Sequence, residues 1–184
     1  MTALTLVDVA AARGGRILFD HVDLALAAGD AALVTGPNGT GKSTLMRILA
    51  GLLRPAAGQV TRDGAVALLT EAHALDPELP LGRALAFWIA APLAALDALG
   101  LAGVASVPLR MLSTGQRRRA ALARIWGSGT PIWLLDEPTN GLDAQGMALL
   151  DRLLAAHRAA GGIAVVASHA VVTLPGARAV VLGG

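Results

Sequence analysis

The chain has 184 residues, no cysteine and a formal net charge of +2. That length suits one domain with its own core. The composition excludes disulfides, thiolate metal sites and thiol nucleophiles, agrees with a reducing cytosolic compartment, and offers too little positive charge to argue for nucleic acid.

Short apolar runs alternate with stretches of helical periodicity, the pattern of an α/β domain. Met1-Thr2-Ala3-Leu4 leads straight into an alternating pattern, with no amino-terminal signal in view. Residues 4–9 and 22–26 read as antiparallel strands joined through Gly14-Gly15. Residues 31–35 read as a buried strand ending at Gly36, and 43–53 as the helix that follows. Val60 and residues 66–69 suggest two further strands around the turn Asp63-Gly64. Residues 81–101 are alanine-rich and helical in pattern. Between Arg83 and Arg110 the only charge is Asp97, yet Pro92, Gly100, Gly103 and Pro108 interrupt the run. Short helices packed on each other or on a partner are expected there, not a membrane span. Helices are predicted over 115–126 and 144–160. Strands over 132–135, 163–167 and 179–182 complete a parallel sheet. The run Arg117-Arg118-Arg119 falls in the first of these helices, so its side chains diverge; a solvated helix surface is the expectation.

One segment dominates the chemistry. Of fifteen basic residues fourteen are arginine, and the single lysine, Lys42, lies in Gly36-Pro37-Asn38-Gly39-Thr40-Gly41-Lys42-Ser43-Thr44. This matches the phosphate-binding pattern G-x-x-x-x-G-K-[S/T]. Glycines let successive backbone N–H groups converge on phosphate oxygens at a helix N-terminus. A slim stem ending in a point charge fits that cradle where a planar guanidinium does not. Lys42 is expected to reach the β- and γ-phosphates and the Ser43 hydroxyl to coordinate Mg2+. Ile132-Trp133-Leu134-Leu135-Asp136-Glu137 is an apolar run ending in two carboxylates. Asp136 is placed to hold the metal and Glu137 to polarise an attacking water beside the γ-phosphate.

Leu112-Ser113-Thr114-Gly115-Gln116 resembles the signature motif of ABC-type ATPases, with Thr114 in place of a glycine. Gly141-Leu142-Asp143 follows Glu137 as the D-loop does in that family, and His169 stands where it places its switch histidine. The resemblance covers essentially the whole chain. It implies an α/β fold of the P-loop NTPase ABC type: a mainly parallel sheet core, an antiparallel β subdomain and a reduced helical subdomain. Residues 1–72 and 128–184 would form the core with the β subdomain, and about 73–127 the helical subdomain and signature. It further implies Mg-dependent ATP hydrolysis with Lys42, Glu137 and His169 as catalytic groups. The resemblance also implies that the site is a sandwich, in which Leu112, Ser113, Thr114, Gly115 and Gln116 of one subunit would close over ATP on the phosphate loop of the other. A homodimer on ATP is therefore implied.

Two features depart from the family. The region that usually stacks an aromatic on adenine reads Ala11-Ala12-Arg13-Gly14-Gly15, and the chain has no tyrosine. Arg13 either stacks its guanidinium on the base or is a solvated turn residue. The usual Q-loop glutamine is missing, since Gln59, Gln116 and Gln145 are misplaced for it. Glu71 and His73 occupy that region, where His73 either contacts Mg2+-bound water or the γ-phosphate, or is a plain loop histidine.

The short spacing from Lys42 to Ser113, and phrases such as Leu85-Ala86-Phe87-Trp88 and Gln116-Arg117-Arg118-Arg119, resemble the ATPase subunits of the haem exporter of bacterial cytochrome c maturation. That implies peripheral attachment to integral membrane permease subunits on the cytoplasmic face of the inner membrane. The work done would be release of a haem-loaded periplasmic chaperone, with no haem bound on this chain, whose His21, His73, His157 and His169 show no paired spacing. Phe87, Trp88 and Ile89 are either the docking surface for the permease or packing inside the helical subdomain. An ATPase of another exporter (lipid, peptide or drug) is the alternative, and a non-transport ATPase acting on ribosome or DNA a more distant one.

Overall fold

The structure is a computed structural model and describes residues 2–72, 74–170 and 172–183. His73 lies outside the described residues.

Two sheets share the chain. β1 (Ala3–Arg13) and β2 (Arg16–Ala27) pair antiparallel and are closed by Gly14 and Gly15, both at positive φ, the geometry a two-residue hairpin turn requires. β4 (Ala57–Asp63) adds to the other edge of β1, in the order β2-β1-β4. The second sheet is parallel: β5 (Val66–Leu69), β6 (Ile132–Asp136), β7 (Ile163–Ala167), β3 (Ala31–Thr35) and β8 (Arg178–Val181), in that spatial order. The strands on either side of Asp63-Gly64 are therefore not a hairpin. Gly64, at φ 134, turns the chain from one sheet into the other.

Alternation along the parallel strands divides the interior. Ile132, Leu134, Ile163 and Val165 point to the side shared with the antiparallel sheet and α1 (Lys42–Leu49). Trp133, Leu135, Ala164 and Val166 point to the side covered by the remaining helices. Those are α2 (Leu81–Ala86), α3 (Pro92–Ala98), α4 (Thr114–Gly127) and α5 (Ala144–Ala159), with 3-10 turns at Ala102–Val104 and Leu109–Met111. Both faces are buried, as a parallel sheet demands. Fully burying one leucine contributes roughly 1.5–3 kcal/mol, and Leu81, Leu85, Leu96, Leu99 and Leu101 all do so. The helical segment thus shares one continuous apolar cluster with the sheet face beneath it.

The short helices expected over 81–101 are present as α2 and α3, broken across Phe87–Ala91, because Pro92 disfavours helical geometry in the residue before it. Two expectations are corrected. The helix after the phosphate loop ends at Leu49, not Leu53, where Gly51 at φ 77 takes a left-handed turn. The arginine run is not a solvated face. Arg117 donates to the Arg110 carbonyl and Arg119 to that of Leu99, while Arg118 is buried. No helix among the described residues is long and apolar enough to cross a membrane.

Candidate active site

The carboxyl ends of β3, β6 and β7 assemble the site. From β3 the chain enters the loop Gly36 to Gly41 and then α1, whose first turn carries no acidic side chain. Two glycines there have no substitute. A Cβ on Gly36 would run into the Leu182 carbonyl, and one on Gly41, at φ 101, would lie 2.9 Å from the Phe19 ring. The loop is held by Thr40, whose hydroxyl donates to the Pro37 carbonyl at 2.9 Å. The Lys42 ammonium, almost wholly buried, folds back to donate to the carbonyls of Gly36 at 2.7 Å and Pro37 at 3.1 Å. A flexible cation resting on two neutral acceptors is free to exchange them for phosphate oxygens. A cleft of about 300 Å³ is lined by Arg13, Asn38, Gly39, Lys42, Ser43, Thr44 and Glu137. Arg13, at the exposed end of β1, thus stands at the cleft wall where an aromatic was absent from the sequence.

Asp136 ends β6. Burial pushes its carboxyl above the usual carboxylate range, opposed chiefly by a hydrogen bond from the Ser43 hydroxyl. Its Oδ1 is buried without any hydrogen-bond partner. An orphaned carboxylate oxygen beside a serine hydroxyl is a donor set that fits a hard divalent cation. Glu137 follows in a left-handed conformation, φ 48, with its N–H on the Ala167 carbonyl of β7 at 2.8 Å. Its Oε2 sits 2.9 Å from His169 Nδ1 and 3.4 Å from the His169 N–H. His169 itself is 62% exposed and lines a neighbouring hollow with Thr35, Gly36 and Ser168.

The signature residues lie elsewhere on the chain. Leu112 is buried, and Ser113 caps α4: its hydroxyl accepts from the Gln116 N–H at 3.2 Å, and the Gln116 carboxamide accepts from the Ser113 N–H at 2.9 Å. This is a capping box, a pattern that S-x-x-Q announces in sequence. A second hollow joins Thr114, Arg117, Arg118, Asn140, Gly141 and Glu71. A Cβ on Gly141 would lie 2.8 Å from the Thr114 methyl, and one on Gly115 3.0 Å from the Gly141 carbonyl. Asp143 caps α5 through Gly146 at 2.7 Å. None of residues 112–116 lines the phosphate cleft of the same chain.

Sequence reasoning missed Arg118. Only 3% exposed, it donates to the carbonyls of Thr70 (2.9 Å), Asp136 (2.9 Å), Pro138 (3.2 Å) and Glu137. Its acceptors are all main-chain groups, so no side-chain pattern advertises them. Desolvation lowers its affinity for its proton, and Asp136, Glu71 and Glu137 oppose that.

Comparison with known proteins agrees with this geometry. The family model described as ABC transporter matches residues 19–140. The chain is 52% identical to the cytochrome c biogenesis ATP-binding export protein CcmA of Sphingopyxis alaskensis, over 100% of this chain and 98% of that protein. It is 50% identical to the protein of the same name from Novosphingobium aromaticivorans, over 95% and 93%. Among solved structures, the ATP-binding cassette MJ0796, dimeric in a post-hydrolysis state with ADP and Pi, superposes with a TM-score of 0.81 at 25% identity, over 97% of this chain and 94% of that one. An α/β P-loop ATPase fold, an ABC transporter model spanning most of the chain and full-length relatives at half identity place this chain in the ABC transporter ATP-binding family, within the group of cytochrome c biogenesis ATP-binding export proteins.

Proposed function

We propose that this chain is the ATP-hydrolysing subunit of the haem exporter of bacterial cytochrome c maturation. It works as a homodimer attached peripherally to integral permease subunits at the cytoplasmic face of the inner membrane, and drives release of a haem-loaded chaperone. The observation that carries the reading is the shared cleft in which Lys42, Ser43 and Glu137 meet beneath Arg13.

The backbone N–H groups of the phosphate loop and the α1 N-terminus bind the triphosphate. Lys42 leaves the Gly36 and Pro37 carbonyls for the β- and γ-phosphates, and Arg13 lies against the base. Ser43 and Asp136 would hold Mg2+, which would supply positive charge against that of the triphosphate. Glu137 takes the proton of the attacking water, and His169 holds that carboxylate in place through Nδ1. Ser113, Thr114 and the rest of the signature of a second copy close the cleft from above, with Asp143 beside them. Preorganised donors on both walls then stabilise the transition state, so an isolated chain turns over poorly.

Phe87 and Trp88 pack edge to face at 5.2 Å and are 82% and 45% exposed. Beside them opens an apolar groove of about 280 Å³ over Leu79 and Ala84. This is the docking surface for a permease segment. Ile89 has no part in it, being buried against Gly127. Trp88→Glu is therefore expected to uncouple transport from ATP turnover, and unchanged complex assembly would reject the assignment.

The test is a Glu137→Gln variant expressed in its own bacterium and solubilised from membranes with ATP. Trapped closed dimers should bring down cytochrome c maturation membrane subunits. A different permease would keep the mechanism and change the cargo; ribosomes or DNA in place of any permease would sink the transport reading.

A further inference from the structure

Glu137 is the only residue of the cleft whose backbone is strained. A non-glycine residue at φ 48 persists only where its surroundings over-determine it. On one side its N–H is fixed to β7 through Ala167. On the other, its carbonyl is held by the Arg118 guanidinium, which also grips the carbonyls before and after it, those of Asp136 and Pro138. The same guanidinium reaches the Thr70 carbonyl just beyond β5, where the chain passes to Glu71. Arg118 is carried by α4, the helix that the signature residues Ser113 and Gln116 cap. One planar cation therefore ties the signature helix, the end of β5 and the bend that aims Glu137.

A buried arginine that fastened a core would be expected to meet a carboxylate or to be replaceable by packing. Arg118 instead spends its donors on four main-chain carbonyls at the ends of β5 and β6, three of them centred on Glu137. Five donors in a rigid fork can serve several acceptors at once, whereas a lysine ammonium offers a point charge that cannot span them.

We propose that Arg118 is a positioning residue for ATP hydrolysis. It locks the bend over Asp136, Glu137 and Pro138 so that the Glu137 carboxylate stays against His169, and it passes any shift of α4 to that carboxylate. Because α4 carries the signature, engagement of the partner's nucleotide would then be felt at this subunit's own base. The proposal rests on Glu137 as the base.

The test compares full-length wild type, Arg118→Ala, Arg118→Lys and Glu137→Gln in steady-state ATP hydrolysis, with nucleotide affinity and melting temperature measured on each. The expected result is a fall in kcat of about 10- to 100-fold for both arginine variants, the scale of a misplaced catalytic group, with KM and ATP affinity within about twofold of wild type. Millimolar ethylguanidinium should restore part of the kcat of Arg118→Ala, while ethylammonium at equal ionic strength should not. Wild-type kcat in either folded arginine variant overturns the proposal, and so does a loss that follows melting temperature and resists guanidinium. Should Arg118→Ala fail to fold, Arg118→Lys with unchanged kcat is enough to reject it. Undiminished hydrolysis by Glu137→Gln removes the underlying reading instead; an inactive Glu137→Gln beside fully active arginine variants removes only the positioning role.

Discussion

The two ends of the parallel sheet each bury a titratable group, and they resolve the same penalty in opposite ways. At the carboxyl end Asp136 is pushed up by desolvation and keeps Oδ1 without a partner. At the amino end His157 is pushed down, again mainly by desolvation, but its ring stacks on Trp133 at 3.8 Å and Nε2 donates to the Ile163 carbonyl at 3.2 Å. The Trp133 Nε1 beside it is also unpartnered, yet it is a neutral donor and not a charge. Burial alone therefore does not mark function. What separates the ends is a charge-bearing valence left open, next to a hydroxyl and a cation held only by carbonyls, against a ring closed on its own surroundings.

The sharpest way to break the comparison is at the carboxyl end. Glu137→Gln keeps shape and removes the proposed proton acceptor, so hydrolysis should fall by about 10²–10⁴-fold while ATP still binds; a phosphate-release assay beside equilibrium binding separates the two. Ser113→Arg attacks the second wall. Because residues 112–116 do not line their own phosphate cleft, hydrolysis should drop by about 10²–10³-fold and the affinity of the single chain for nucleotide should hold. Activity equal to wild type would reject the proposed two-copy sandwich.

A smaller effect tests the open valence itself. The folded-state pKa of Asp136 is raised above 3.8, so its contribution to stability is complete below the unfolded value and is lost as pH rises through the folded one. At neutral pH the nucleotide-free protein therefore bears a buried carboxylate at a cost. Asp136→Asn should melt higher by about 2–4 °C, the shift that ~1 kcal/mol produces in a domain of this size. The further rise in melting temperature that ATP with Mg2+ gives wild type should shrink in the variant. A lower melting temperature without ligand would show that the carboxylate is already satisfied.

The same contrast explains what could be read in the sequence. The phosphate loop was legible because its glycines, lysine and serine act within one short segment, with a strand before and a helix after. Asp136 and Glu137 were legible because a buried strand ends in them. Arg118 was not, since its partners are backbone carbonyls at Thr70 and at Asp136 to Pro138, brought together only by the sheet order. The break between α2 and α3 was legible in Pro92, but its extent over Phe87–Ala91 was not. The exposure of Phe87 and Trp88 against the burial of Ile89 depended on where that break fell.

The smallest effect belongs to the closed end. The pKa of His157 lies below 6.5 in the folded chain, so the neutral ring is favoured, and its contribution is present above 6.5 and lost as pH falls from there toward the folded value. The slope is at most ~1.4 kcal/mol per pH unit for one proton, and solvent at the ring's edge holds it below that limit. His157→Gln keeps a donor for the Ile163 carbonyl but neither stacks nor titrates. It should shift the whole curve down by about 0.5–1.5 kcal/mol for the lost ring contact and remove its part of the slope below pH 6.5. Urea unfolding at pH 8 and at pH 5.5 reads offset and slope separately. An unchanged slope would mean the ring is protonated as readily as in the unfolded chain, and the two ends of the sheet would then differ in burial cost as well as in open valence.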